Sequence, residues 1–376
     1  MRIARILLVA LLALAALTFA ALRARYGGGG DFPDRSGAPE LGADALEVVA
    51  NLDSPPGNVA VSASGRVFAT FHPEASPKLA VFELKDGVPV AYPPGGLPGG
   101  LTYQSVLSLR VDQRNRLWVL DTGRHGLGQP RLLAFDLRTD ALVHRHDFPG
   151  KIALIGSHLN DFQVSPDGRR VYIADASIFA EVPAIVDYDV GRQRGRRLLQ
   201  GHESVLAEPY VPVVQGVRMQ FYGVFAIRPN VDSIALDDAG EWLYFAPVTS
   251  RHMYRVRAAD LDDESLSRQA LESRVERFAE KTMSDGITID SRGTLYLSDP
   301  EHDAVMTLGQ DHQLHTLLRD ARLRWPDGFS FGPDGWLYLT CSALHHVILR
   351  SPAEIAANAP YQIFRFKAPA PGIPGH

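Results

Sequence analysis

The chain has 376 residues, 45% of them hydrophobic and 22% charged, with a formal net charge of −5. This is ordinary globular composition with enough chain for a large core, and no basic patch is dense enough for nucleic acid to be a partner. The single cysteine, Cys341, excludes an intrachain disulfide and reads as a small buried residue at a strand end.

The N-terminus comes first. Arg2 and Arg5 precede an uncharged run from Ile6 to Leu22, at the lower limit for a membrane span and slightly long for a signal-peptide core. Cleavage after Ala20 or Ala21 fits, and so does an uncleaved anchor, because Arg23 and Arg25 follow at once. Residues 1–25 are therefore predicted to be a signal peptide or membrane anchor, 26–43 a flexible linker, and 44–376 the folded part. The protein is expected to be secreted, periplasmic or membrane-anchored, with its fold outside the cytoplasm.

Beyond residue 44 one unit recurs six times: "GNVAVSASGRVFATF", "LSLRVDQRNRLWVLD", "NDFQVSPDGRRVYIAD", "DSIALDDAGEWLYFAP", "DGITIDSRGTLYLSD" and "DGFSFGPDGWLYLTC". Each is period-two alternation, a polar turn, then an apolar-aromatic strand, which is the pattern of a β-hairpin. The turn residues are Gly65, Asn115, Gly168, Gly240, Gly293 and Gly335. A hairpin cannot bury both its faces alone, and the spacing leaves room for four strands per unit. Radially repeated four-stranded units make a propeller, so the fold class is all-β, a six-bladed β-propeller. "ALEVVANL" and "YQIFRFKAP" are both candidates to close the ring. Between repeats, "GRQRGRR" (191–197) reads as an exposed hairpin loop and 258–281 as a charged surface helix. The 201–230 stretch is a long insertion on one face, where function often sits.

Aligned on the turns, the residues eight positions earlier are Gly57, Leu107, Asn160, Asp232, Asp285 and Asp327. They begin the innermost strands, so they rim the central channel. Oxygen donors converging there suit a hard cation, and like charges aimed at one channel call for a cation or polar ligand. Asn160, Asp232, Asp285 and Asp327 are the candidate metal ligands, with a divalent cation, calcium or zinc, as the cofactor they could hold. Asn58, His158, Asp161 and His302 are candidate ligand contacts beside them, and Tyr222 is one from the insertion. His125 and Asp327 are candidate proton-transfer groups. Asp121, Asp175 and Asp299, at the far ends of the second strands, read as corner-fixing residues. His345 and His346 read as ordinary surface residues.

The segments "LWVLDTG" (117–123), "SHLNDFQVS" (157–165), "SIALDDAGEWLYFAPVTSRHMYRV" (233–256), "DGITIDSRGTLYLSDPEHDAV" (285–305) and "RWPDGFSFGPDGWLYL" (325–339) together resemble the major royal jelly protein and Yellow family over about residues 47–365. The resemblance implies a six-bladed propeller, export and a ligand pocket at the channel mouth. The "DG" corners at Asp285 and Asp327 are also similar to the wider gluconolactonase/regucalcin group, whose inner-strand Asn and Asp bind a divalent cation. Asn160, Asp285 and Asp232 match that pattern, whereas the group's first-blade acid is replaced by Gly57 with Asn58 beside it. Three functions follow as expectations: small polar ligand binding, an amine included; metal-dependent lactonase or esterase activity; and an envelope scaffold for other proteins. The expected partners are a small-molecule ligand and, if the N-terminal segment is uncleaved, the membrane, with the chain a monomer.

Overall fold

The computed structural model describes residues 2–178 and 180–376. Six four-stranded antiparallel sheets are arranged as a six-bladed propeller. Their innermost strands are Pro56–Val61, Val106–Val111, Leu159–Val164, Val231–Leu236, Ile287–Ile289 and Pro326–Phe331. All but Asp327 of these residues are buried. The anticipated turns form: Asn115 and Gly168 take φ of 61° and 62°, the left-handed conformation that Gly and Asn tolerate best. Trp118, Tyr172 and Tyr296, at most 1% exposed, fill the seams between blades.

The ring closes with both candidate strands. Tyr361–Lys367 is the third strand of the sixth blade, and Glu47–Leu52 pairs with it as the outermost strand. Joining the two ends of the fold in one sheet leaves no blade incomplete.

One detail of register governs the channel. In five blades the pairing of the first two strands slips just after the inner strand begins: at Pro56/Val59, Val106/Leu109, Leu159/Phe162, Val231/Ser233 and Pro326/Phe329. A bulge there bends the strand and re-aims its side chains. It sits at the column of residues singled out above, so Asn160 and Asp161 both turn toward the channel.

Three expectations are corrected. Arg194–Leu198 is the outer strand of the third blade rather than a loop, held by Arg196 to Asp187 and Arg197 to Asp175, each at 2.6 Å. The 258–281 stretch is two short helices, Ala258–Asp262 and Arg268–Glu272, followed by the outer strand Glu276–Glu280 of the fourth blade. The 26–43 segment is packed rather than free. Phe32 is buried against Tyr210, Gly30 N–H donates to Pro209 O, and Leu41 N–H donates to Leu317 O. Ahead of it, Arg2–Leu22 is a helix of mean hydropathy 2.5 with no buried residue.

The C-terminal tail crosses the end of the channel opposite the acid column. Ser291 N–H donates to Pro371 O, Val111 N–H to Gly375 O and Phe331 N–H to His376 O. His376 is buried, so the channel opens at one end.

Candidate functional site

At that open end lies a cavity of about 130 Å³. Asp232, Asp285 and Asp327 form its floor, and Ile178, Phe221, Ile227, Val248, Leu344 and Ile348 contribute apolar walls. The glycines of the two "DG" corners have a packing cause. A Cβ on Gly286 would meet Asp327 O at 1.7 Å, and one on Gly328 would meet Asn58 Oδ1 at 2.6 Å. Only glycine lets adjacent inner strands approach so closely. The acids beside them are left to face the cavity.

Burial pushes Asp232 and Asp327 well above the usual carboxylate range, and the neighbouring Asp285 charge adds to it. Asp285 is also raised by burial, against the opposing effect of hydrogen bonds from Trp325 and Asp232. Trp325 Nε1 donates to Asp285 Oδ2 at 2.5 Å, and Asn160 Nδ2 donates to Asp232 Oδ1. Three carboxylates gathered in one funnel disfavour one another's ionisation unless a cation compensates.

Arg110, which sequence reasoning missed, supplies part of that compensation below the floor. Its guanidinium donates to both oxygens of Asp161 and to Asn58 Oδ1. Asn58 and Asp161, expected as ligand contacts, are thus committed to an internal ion pair. The signal was present: three residues into each inner strand stand Ala60, Arg110, Gln163, Ala235, Thr288 and Ser330, and one of the six is charged. Among the described residues no group of three or more His, Cys, Asp or Glu is arranged to hold a metal ion. The expected set Asn160, Asp232, Asp285 and Asp327 lies together but does not form a cation shell as placed, because Asn160 turns its amide N–H to Asp232 and Trp325 holds Asp285.

One wall is a histidine cluster drawn from three blades. His158 Nδ1 lies 2.6 Å from His125 Nδ1, and His158 Nε2 lies 3.3 Å from Asn160 Oδ1. His125 Nε2 lies 3.4 Å from Glu74 Oε1, and His72 Nδ1 accepts from Glu74 N–H. His125 and His158 were anticipated; His72 and Glu74, which follow the second strand of the first blade, were not. Burial holds His72 at about 4 and His158 at about 3, so both are neutral near pH 7. Asn160 sets the direction of the chain. Its Nδ2 faces Asp232, so its Oδ1 accepts from His158 Nε2–H, and His158 Nδ1 must then accept from His125 Nδ1–H. His125 and Trp325 both sit at left-handed φ, 55° and 56°. Such strain in bulky residues persists where surrounding packing fixes it, commonly at functional sites.

Other expected residues lie elsewhere. Tyr222 is 86% exposed and points away from the cavity; Phe221 takes its place on the wall. His302 pairs with Asp299 and Asp34 on the outer part of the face, and its neighbour Glu301 accepts from Val213 N–H at 2.7 Å, holding down the insertion. His345 is buried, stacked on Trp325 and 3.2 Å from Gln215 Oε1, rather than a surface residue. Asp121, Asp175 and Asp299 do fix corners: Asp121 accepts from Gln104 and Ser105 N–H, Asp175 from His158 N–H, and Asp299 from Thr282 Oγ1–H.

Fold and site together define a six-bladed propeller with a one-ended channel, an acidic floor and apolar walls. The family model for major royal jelly protein matches residues 104–328, more than half of the chain. The chain belongs to the major royal jelly protein family. Major royal jelly protein 3 of Apis mellifera is 26% identical over 51% of this chain and 36% of its own length. Protein yellow of Drosophila melanogaster is 26% identical over 49% of this chain and 33% of its own. The match thus spans about a third of each of these relatives. Among solved structures, a calcium-binding protein, regucalcin, from Agrobacterium tumefaciens superposes with TM-score 0.55 at 16% identity, over 87% of this chain and 96% of that one. A gluconolactonase from Xanthomonas campestris does so with TM-score 0.55 at 14% identity, over 91% and 98%. At such identities the likeness is one of fold.

Proposed function

We propose that the protein binds a small organic cation, a protonated amine on an apolar body, at the channel mouth. The observation that carries this is the acidic floor: Asp232, Asp285 and Asp327 are all raised by burial beneath largely apolar walls. An ammonium group reaching that floor supplies the missing positive charge, and the apolar body replaces water along the walls. Trp325, whose indole N–H already fixes Asp285, offers an aromatic surface to the same cation. Binding therefore releases a proton from the floor. The apolar N-terminal helix supports an exported protein with the propeller outside the cytoplasm.

The test is a thermal melt of the protein with a panel of aromatic and aliphatic amines. A ligand at about 100 times its Kd adds about 2.7 kcal/mol of stability. Stabilisation that Asp285→Asn removes supports the reading; no shift with any amine sinks it.

A second reading, metal-dependent hydrolysis of a lactone or ester, has one observation in its favour. The same three carboxylates would be relieved by a divalent cation, and two propellers of similar fold are a calcium-binding regucalcin and a gluconolactonase. Calcium or zinc in the same melt separates the two: stabilisation by the ion, lost in Asp285→Asn, favours the hydrolase.

A further inference from the structure

The face that carries the cavity also carries an uneven share of exposed apolar side chains. Leu127, Ile155 and Leu349 are 76%, 80% and 56% exposed, and Tyr222 and Phe225 are 86% and 39% exposed. All five stand on loops that join blades or leave a second strand at the open end of the channel. The remaining exposed large hydrophobics of the propeller are Leu206, early in the same inter-blade connection as Tyr222, and Val48, Val88, Val90 and Val143, which lie along outer strands. Among the described residues none is on the turns of the opposite face, which the C-terminal tail closes. Isolated surface leucines are ordinary, but apolar tips gathered around one cavity mark a surface that meets something apolar. Tyr222 and Leu349 are displayed at positive φ, 49° and 58°, a strained conformation for side chains of their size.

Two further observations identify what is met. Leu127, Ile155 and Leu349 each have an exposed cationic neighbour, Arg124, Lys151 and Arg350, the pairing that suits a bilayer interface with anionic headgroups. The apolar helix Arg2–Leu22 also leaves the propeller at this rim. Arg228 donates to the carbonyls of Tyr26 and Gly28, Gln220 donates to that of Gly27, and Tyr26 packs on Phe225 at 5.6 Å. The hairpin that carries Tyr222 and Phe225 is thereby tied to the end of a segment long enough to span a membrane.

We infer that the open face lies on the lipid bilayer, with Leu127, Ile155, Tyr222 and Leu349 inserted in the interface and the cavity mouth turned toward the membrane. Taken with the proposed function, on which this last step rests, the ligand is a lipophilic cation that partitions into the bilayer and enters the cavity from it.

The test uses the full chain in nanodiscs of phosphatidylcholine and phosphatidylglycerol with brominated acyl chains. Cys341 is buried, so single cysteines introduced at Leu127, Ile155 and Leu349 take a fluorescent label selectively, and Ala63→Cys on the opposite face is the control. Quenching at the three rim sites and not at Ala63 is expected; labels unquenched at all four sites overturn the inference. The variant Leu127→Ser/Ile155→Ser, changed only at exposed positions, should melt like the parent yet lose much of the quenching of a label at Leu349→Cys, a site away from the helix tether. Retained quenching in that variant would overturn the role of these side chains. Asp285→Asn separates the two proposals, because it removes amine binding and leaves quenching unchanged.

Discussion

Arg110 Nη2 donates to both carboxylate oxygens of Asp161, at 2.8 and 2.7 Å, inside the channel. Both side chains are almost wholly out of solvent, at 2% and 9% exposure. The pair is the electrostatic foundation of the site, since it neutralises one acid of the ring from below and leaves three for the cavity. Removing one partner of a buried pair strands the other charge. Arg110→Met is expected to cost about 3–5 kcal/mol, and the double variant Arg110→Met/Asp161→Leu to cost clearly less. Urea unfolding of both variants checks this; equal losses would mean that the pair does not act as a unit.

The floor acids give stability a pH dependence of known sign. Asp327 is raised in the folded state from an ordinary value of 3.8, so between those two values the folded protein holds more protons than the unfolded chain. Native stability then falls as pH rises through that window. Asp327→Asn removes the effect, so its stability relative to the parent should grow with pH, by up to about 1.4 kcal/mol per unit. Parallel denaturation series between about pH 5 and about pH 8 measure it. An advantage that shrank with pH would contradict the assignment.

A cationic ligand reverses that sign, because it binds the ionised floor. Amine affinity should rise with pH while the amine stays protonated, and calorimetry in buffers of different ionisation enthalpy should register proton release on binding. Asp232→Asn should flatten the pH profile as well as weaken binding.

The histidine wall acts on the acid side. His72 and His158 stay neutral in the fold down to about 4 and about 3, against 6.5 when unfolded. Stability is therefore lost as pH falls below the unfolded value toward these folded ones. His158→Gln should retain more stability than the parent at about pH 4.5. The tautomers are testable directly: ¹⁵N–¹H correlation at neutral pH should find His158 protonated at Nε2 only and His125 at Nδ1.

Two residues of the 201–230 insertion and its anchor divide cleanly. Tyr222→Ala should leave amine affinity unchanged, since that ring points away from the cavity. Glu301→Ala removes the acceptor for the half-buried Val213 N–H, and losing such a hydrogen bond costs about 0.5–1.5 kcal/mol. Limited proteolysis should then cut faster within residues 213–226, with amine affinity lowered because Phe221 and Ile227 lose their placement.

The blades were legible in the sequence because their signals are local. Strand alternation, the turn at Gly168 and the aromatic at Tyr172 are neighbours along the chain, and a hairpin fixes its register over a few residues. The acid column followed from the same register, so Asp232, Asp285 and Asp327 could be placed at the channel mouth from spacing alone. What those acids meet was decided by ring closure. Arg110 reaches Asp161 across a blade boundary, and His72, His125 and His158 come together from three successive blades. No spacing along the chain encodes which side chain a neighbouring blade will turn inward. The same holds for the 26–43 segment and the C-terminal tail, polar or glycine-rich stretches whose packing appears only once the propeller offers Tyr210, Val111 and Phe331 to pack against. Sequence by itself determined the repeat and where its carboxylates fall; tertiary structure decided which of them are neutralised, which remain to receive a ligand, and at which end the channel opens. The physical reason is that burial and charge compensation depend on neighbours in space, which the chain acquires only by closing the ring.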